Sequence, residues 1–114
     1  MIDCIFCKII KREIPANIVY EDEKILCFKD IAPQAPVHLV VIPKNHFPDL
    51  LTVKDEEIDT ICHLIKKISH IAAKEGLEPE GFRLVNNCKE MAGQSVFHLH
   101  FHILGGRVFS WPPG

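Results

Sequence analysis

The sequence predicts an α+β fold, a five-stranded antiparallel sheet with one long helix and one short helix. Short apolar and β-branched runs of strand length occur along the chain, and turn-forming residues separate them. Between residues 55 and 75, apolar side chains instead occur at helical spacing. A length of 114 residues corresponds to one domain, 1–114, in which we expect both helices on one side of the sheet.

The composition is that of an ordinary globular protein, with 47 % hydrophobic and 25 % charged residues. The formal net charge of −2 gives no bulk attraction to nucleic acid or membranes, so we expect neither as a partner. No apolar run reaches membrane-spanning length, and we expect no signal peptide. An odd number of cysteines at scattered spacing favours a reducing, cytoplasmic location over a disulfide framework.

The first predicted element is a short helix from Cys4 to about Lys11, with Asp3 as its N-terminal cap. Cys4 and Cys7 then share one face of this helix, three residues apart. A redox pair of the thioredoxin type should follow a strand, and only three residues precede this pair. Two interpretations remain: a pair of buried structural thiols, or half of a zinc site that needs two further ligands.

Residues 18–21 and 25–28 are predicted to form a hairpin whose turn is residues 22–24. Asp30 follows the second strand of this hairpin. Its carboxylate could simply cap the next turn, and an acceptor-only side chain at a strand end also suits the diol of a ribose.

The apolar run 38–42 predicts a central strand that is covered on both faces. His38 opens this strand, where a polar residue needs no special function. The strand ends at residues 43–46, and His46 taken alone is a solvated loop residue.

A capping box at residues 52–55 predicts the start of the long helix, which runs to about Glu75 and ends at Gly76. His63 and His70 lie outside its apolar stripe, so we expect both to be exposed and without function. The stripe consists of Ile58, Ile61, Ile65, Ile68 and Ala72.

Residues 82–86 are the fourth predicted strand, and a loop leads from them to the fifth. The fifth strand carries three histidines at alternate positions, with apolar residues between them: His98, Leu99, His100, Phe101, His102 and Ile103. Successive side chains of a strand point to opposite faces, so the three imidazoles share one face and the apolar set faces the core. Neighbouring histidines are expected roughly 6.5–7 Å apart, from two strand rises.

Histidine is a poor strand former, so three histidines at alternate positions indicate a catalytic or ligand-binding role rather than a structural one. Alternating imidazoles bind metals, or act as nucleophiles and acid–base groups near neutral pH. Metal cages built on such a strand usually add a carboxylate a few residues on, and no Asp or Glu follows His102. This weakens the interpretation as a metal-binding module that uses the three histidines.

The run His98-Leu-His-Phe-His102-Ile-Leu104 matches the pattern His-φ-His-φ-His-φ-φ at every position. The sequence thereby resembles the histidine triad (HIT) family of nucleotide hydrolases and transferases. Gly93-Gln94-Ser95-Val96 and Trp111-Pro112-Pro113-Gly114 resemble its Hint branch, the purine nucleoside phosphoramidases. The resemblance covers nearly the whole chain from Ile5 onward.

The resemblance implies hydrolysis of nucleoside 5′-phosphoramidates or acyl-nucleotides to nucleoside monophosphates. His100 maps to the nucleophile, which carries a nucleotidyl group between two half-reactions. His102 maps to a donor toward the phosphate, and Ser95 to a proton donor near the leaving group. Ser95 would have to act from a loop or a bulge, since regular alternation places it opposite His100. No catalytic metal is implied.

The resemblance also implies a binding site for a purine nucleotide, in which His38 supports the triad from behind by hydrogen bonding. Gly93 and Gln94 would offer backbone N–H groups to the phosphate. The substrate-binding positions are Phe6, Ile9, Asp30, Ile31, Asn87, Gly93, Gln94, Ser95, His100 and His102. Two competing functions are a nucleotide-binding scaffold with little turnover and a dinucleoside polyphosphate hydrolase.

Two further expectations follow from the resemblance. Some family members carry a structural zinc ion, which Cys4, Cys7, His46 and His98 would bind here as a closed tetrahedral set. The family also pairs into a two-fold homodimer with a continuous sheet. The apolar tail 108–114 is then expected to reach the partner's site.

Overall fold

The computed structural model describes residues 3–114, which contain a five-stranded antiparallel sheet of order β1-β2-β3-β5-β4. The predicted fold class is confirmed. The strands are β1 (Ile18–Glu21), β2 (Ile25–Lys29), β3 (Val37–Pro43), β4 (Phe82–Val85) and β5 (Phe101–Gly105), and the helices are α1 (Ile5–Ile10) and α2 (Ile58–Lys74). Short 3-10 turns lie at Leu50–Thr52, Asp55–Glu57 and Glu90–Ala92.

The two helices cover opposite faces of the sheet, so the expectation that both lie on one side is wrong. Leu39 and Val41 of β3 pack in the cluster that contains α2, whereas Val40 and Ile42 pack in the cluster that contains α1. The reason is that β3 is apolar on both faces, and each face needs a cover. The prediction of a central, doubly covered strand is confirmed. We call the two sides the α1 face and the α2 face.

The cap of α1 differs from the prediction. Cys4 is the N-cap residue, and its sulfur accepts a hydrogen bond from the backbone N–H of Cys7 at 3.4 Å. Asp3 instead forms an ion pair with Lys8 at 2.9 Å. The two cysteines therefore lie at the very start of the helix, where their thiols face the same side.

The long helix ends as predicted, because Gly76 takes a positive φ of 78° just beyond it. The capping box predicted at residues 52–55 is wrong. The box is formed by Asp49 and Thr52 and caps the 3-10 turn that precedes the helix. The buried stripe is also shifted, because Ile58 and Ile65 are half-exposed. It consists of Ile61, Leu64, Ile68, Ile71 and Ala72.

One histidine of α2 has a partner that the sequence does not predict. Nε2 of His63 lies 2.8 Å from a carboxylate oxygen of Asp22, so the helix is tied to the β1–β2 turn. His70 is exposed, as expected. Within residues 3–114, none of the helices combines the length and the apolar character required to cross a membrane.

Candidate active site and metal site

The three histidines lie on the α1 face, and the apolar residues between them lie on the α2 face. Leu99, Phe101 and Ile103 belong to the core cluster with α2, as alternation predicts. The regular strand, however, begins only at Phe101, so His98 and His100 precede it. The chain departs from the sheet there because the N–H of Leu99 bonds to the carbonyl of Phe47, in the loop after β3, at 2.6 Å.

His100 is held in one tautomer by its neighbour. Its Nδ1 lies 2.7 Å from the carbonyl oxygen of His98, which can only accept, so the proton is on Nδ1. Nε2 is then unprotonated and carries a lone pair. Burial lowers the pKa of His100, which is only 4 % exposed. The neutral, nucleophilic form of the ring is therefore favoured near neutral pH.

His102 is held in the opposite tautomer by a relay of two hydrogen bonds. The backbone N–H of Gln34 donates to Nδ1 of His38 at 3.0 Å, which places the His38 proton on Nε2. That Nε2–H group donates to Nδ1 of His102 at 2.9 Å. The proton of neutral His102 is therefore on Nε2. Burial and the two neighbouring imidazoles lower its pKa to about 4.

The rings of His100 and His102 are consequently complementary. Their centroids are 5.1 Å apart at an interplanar angle of 75°, closer than the backbone spacing alone predicts. One ring offers a lone pair on Nε2, and its neighbour offers an N–H group on Nε2. An electrophilic centre with a negatively charged oxygen, such as a phosphoryl group, needs these two functions side by side.

Asp30 lies next to this relay. One of its carboxylate oxygens is 3.3 Å from Nε2 of His38, and the other accepts the N–H of Ala32 at 2.8 Å. Asp30, His38 and His102 place their ligand atoms within 4.8 Å of one another, a spacing that could suit a metal ion. The bond from Gln34 nevertheless keeps the proton on Nε2 of His38, so this nitrogen is a donor rather than a ligand.

The loop before the triad differs from the expectation in one respect. The backbone N–H groups of Gly93 and Gln94, predicted to face a phosphate, bond instead to the carbonyls of Glu90 and Lys89 at 3.0 and 3.1 Å. The 3-10 turn at Glu90–Ala92 uses these two N–H groups inside the loop, and their contact with a phosphate stays a prediction. Ser95 follows in the same loop and is exposed.

The side chain of Gln94 organises this loop. Its amide oxygen accepts the N–H of Lys89, and its amide nitrogen donates to the carbonyl of Pro48, both at 2.7 Å. Lys89 has a positive φ of 70° and Gly93 one of 88°, so the loop turns twice without a run of glycines. Asn87 is half-buried at the start of the loop.

The remaining predicted binding residues fall into two environments. Phe6 and Ile9 are buried in the core cluster on the α1 face. The ring of Phe6 packs edge-on against His100, with centroids 5.1 Å apart. Ile31, by contrast, is 99 % exposed next to Asp30.

The four predicted metal ligands come together at the N-terminal end of α1. Cys4 and Cys7 sulfur, His46 Nδ1 and His98 Nδ1 all lie within 4.8 Å of one another. The two imidazole nitrogens are 3.1 Å apart, and the Cys4 sulfur is 3.4 Å from Nδ1 of His98. Without the family resemblance, no local pattern indicates a function for His46, because 39 residues separate it from Cys7.

This donor set fits a tetrahedral zinc ion. Two thiols and two imidazole nitrogens are ligands that zinc prefers in closed sites. His98 donates Nε2–H to the carbonyl of Pro43 at 2.8 Å, which turns the lone pair of Nδ1 toward the cysteines. Burial lowers the pKa of His98 to about 4, so it is neutral. Burial and Cys4 raise the pKa of Cys7 to about 11, so a bound metal would displace its proton.

Two residues contribute to the site although the sequence does not predict it. Gln34 acts through its backbone N–H, which leaves no side-chain signal. Asn86 is predicted only as the last residue of a strand, but its side-chain amide donates to the carbonyl of His100 at 2.9 Å. Only the register between β4 and β5 could have revealed this contact.

Known proteins resemble this chain over nearly its whole length. Residues 3–109 match the family model described as scavenger mRNA decapping enzyme C-term binding. A HIT-like protein of Synechococcus elongatus is 54 % identical over 112 residues, which cover 98 % of this chain and 97 % of the relative. A 14 kDa zinc-binding protein of Brassica juncea is 46 % identical over 114 residues, which cover 98 % and 100 %.

Solved structures resemble the fold just as closely. A HIT family hydrolase from Legionella pneumophila superposes with a TM-score of 0.95 at 46 % identity, covering 98 % of this chain and 100 % of the other. A histidine triad protein from Clostridium difficile superposes with a TM-score of 0.92 at 45 % identity, covering 96 % of each chain.

Proposed function

The chain belongs to the histidine triad family, and on that premise we propose that it is a nucleotide hydrolase of the Hint type. Its substrates are nucleoside 5′-phosphoramidates or acyl-nucleotides, and its product is a nucleoside monophosphate. The observation that carries this proposal is the pair of opposite tautomers, with a lone pair on Nε2 of His100 and a proton on Nε2 of His102. The hydrolases among the structural neighbours support the general class of reaction.

In the first half-reaction, Nε2 of His100 attacks the α-phosphorus. A phosphorus–nitrogen bond to His100 forms as the bond to the leaving group breaks, and the departing amine takes a proton, for which Ser95 is the proposed source. The ring then carries a positive charge. The carbonyl of His98, already bonded to Nδ1–H at 2.7 Å, stabilises that charge.

His102 supports both half-reactions. Its Nε2–H group donates to a phosphoryl oxygen, where negative charge accumulates in the transition state. His38 is a positioning residue, because it fixes the tautomer of His102. In the second half-reaction, water attacks phosphorus and the bond to Nε2 of His100 breaks, the proton of water restores the one that Ser95 gave to the amine, and the monophosphate leaves.

The nucleotide is proposed to bind beside these rings, with Asp30 accepting from the ribose hydroxyls and Asn87 contacting the phosphate or ribose. Exposed Ile31 offers apolar area to a purine base. The backbone N–H groups of Gly93 and Gln94 are bonded within the loop. Ser95 is exposed in the same loop and is proposed as the proton donor to the leaving group.

We propose that Cys4, Cys7, His46 and His98 hold a structural zinc ion, as the name of the Brassica juncea relative suggests for that protein. Zinc bound there would cross-link three distant segments. Four protein ligands leave no open position for a catalytic water.

A homodimer is proposed from the exposed edge of the sheet. β4 is an edge strand, and Phe82 and Leu84 on it are both about 40 % exposed. Val108 and Trp111 in the tail are 91 % and 81 % exposed, and they offer apolar surface that a partner would cover. Pairing of two β4 strands across a two-fold axis would cover the edge.

The proposed reaction is tested by trapping the intermediate. The protein is mixed with a fast acyl-nucleotide and quenched in alkali, because acid destroys a phosphorus–nitrogen adduct. Peptide mass analysis should find one nucleotidyl group within residues 93–107, at His100. His100→Ala should lose several orders of magnitude in kcat while nucleotide binding survives, and His70→Ala on the exposed face of α2 should retain activity.

A nucleotidyl group on another residue, or full activity in His100→Ala, would overturn the assignment. Binding of a purine nucleotide without turnover on any phosphoramidate or acyl-nucleotide would instead favour a nucleotide-binding scaffold. Turnover restricted to dinucleoside polyphosphates would favour a dinucleoside polyphosphate hydrolase. A panel of the three substrate types, scored by kcat/KM, separates these outcomes.

A further inference from the structure

We propose that Asn86 is a positioning residue for His100, an inference that rests on the proposed function of that histidine. The side-chain amide of Asn86 donates to the backbone carbonyl of His100 at 2.9 Å. The bond reaches the main chain rather than the imidazole, so Asn86 acts on the orientation of His100 and not on the substrate.

The contact lies where the sheet opens. Val85, the last residue of β4, pairs with His102, and the pairing of β4 with β5 ends there. The ladder therefore cannot supply a donor from β4 to the carbonyl of His100. The amide of Asn86 takes the place of that backbone donor, one residue beyond the end of the strand.

His100 is thereby held at both of its ends. Nδ1–H of the ring bonds to the carbonyl of His98, and the carbonyl of His100 itself accepts from Asn86. The first bond sets the tautomer and the second sets the peptide plane from which the side chain projects. Together they aim the lone pair of Nε2, and a reacting nitrogen misplaced by about 1 Å can cost a hundredfold in rate.

Loss of the donor would leave a polar group unpaired next to the reacting ring. His100 is 4 % exposed, so water does not readily replace the amide. The peptide between His100 and Phe101 would then rotate to find another partner. Because Nδ1 is bonded to a carbonyl only two residues away, such a rotation also weakens the bond that fixes the tautomer.

Asn86→Asp is the sharpest test, because it preserves shape and removes the donor. We expect kcat on an adenosine phosphoramidate to fall 10- to 100-fold with KM within about twofold, since the change affects alignment more than binding. Asn17→Asp is the matched control, because Asn17 is exposed and lies outside the site. It should leave both constants unchanged.

A spectroscopic measurement on the same proteins separates positioning from general destabilisation. Two-bond 1H–15N correlation spectra of the free protein should show His100 as a single Nδ1–H tautomer in the wild type. In Asn86→Asp, the two ring nitrogens of His100 should shift toward the average of both tautomers, while those of His63 stay unchanged. If Asn86→Asp does not fold, Asn86→Ala is measured in the same way.

An unchanged His100 spectrum together with unchanged kcat in a folded variant would overturn the inference. Equal losses in kcat and in nucleotide affinity, with the tautomer intact, would also overturn it, since they indicate a binding role. Because the spectra need no substrate, a protein without activity on phosphoramidates and acyl-nucleotides would refute the proposed function while the tautomer shift still supports the role of Asn86.

Discussion

Removal of the proposed metal should destabilise the protein by an amount that the positions of the ligands allow us to work out. The site joins three segments: the start of α1, His46 and His98. The loops between them span 39 residues from Cys7 to His46 and 52 residues from His46 to His98. A cross-link that closes a loop of this size lowers the entropy of the unfolded chain by an equivalent of about 4 kcal/mol in the chain-entropy model.

The expected loss on metal removal therefore lies between about 4 and 8 kcal/mol, according to whether one loop or both lose their constraint. For a protein of this length, a loss of 1 kcal/mol lowers Tm by about 4 °C. We expect chelation to lower Tm by about 15 °C or more. The assay is calorimetry of the purified protein before and after dialysis against a strong chelator, with metal content measured on both samples.

Mutants with matched chemistry separate the metal from other effects of cysteine. Cys4→Ser combined with Cys7→Ser should abolish a content of about one zinc per chain and reproduce the low Tm. Cys62→Ser combined with Cys88→Ser is the control, because neither residue belongs to the cluster. Zinc content that persists without Cys4 and Cys7, or a chelated protein whose Tm is unchanged from that of the untreated one, would refute the reasoning.

Three further predictions concern the site, the core and the assembly. Burial lowers the pKa of His100, so the acid limb of kcat/KM should lie below pH 6.5, the usual pKa of histidine, and a limb at or above pH 6.5 would contradict this. The free energy of unfolding should fall over the same acid range, because unfolded histidines take up protons there and the buried ones do not. Leu99→Ala should lower the free energy of unfolding by about 2 to 5 kcal/mol in denaturant titrations, since Leu99 is 1 % exposed in the core beneath the triad, and a loss well below this range would show that the site collapses around the cavity. Light scattering should report a dimer at micromolar concentration, which Leu84→Lys on the exposed edge of β4 weakens, and a wild-type monomer would refute the proposed dimer. Trp111→Ala should change leaving-group preference more than nucleotide affinity.

Much of the architecture is determined by local patterns. Alternation alone places the triad imidazoles opposite Leu99, Phe101 and Ile103, because a strand has only two faces. Gly76 was likewise sufficient to predict the end of α2, and the apolar run of β3 was sufficient to predict a central strand that is covered on both faces. Where patterns compete, the sequence was misleading: the capping box lies at Asp49 and Thr52 rather than at residues 52–55, since a 3-10 turn intervenes before α2.

The protonation state of the site was decided by the tertiary structure. His100 donates to a carbonyl, and the relay to His102 starts at the N–H of Gln34; both partners are backbone groups that every sequence contains, so no residue type announces them. His46 joins Cys7 only because the loop after β3 folds back onto α1. The sequence by itself determined which imidazoles are present and which face they share, whereas the folded backbone decided which nitrogen of each ring carries the proton.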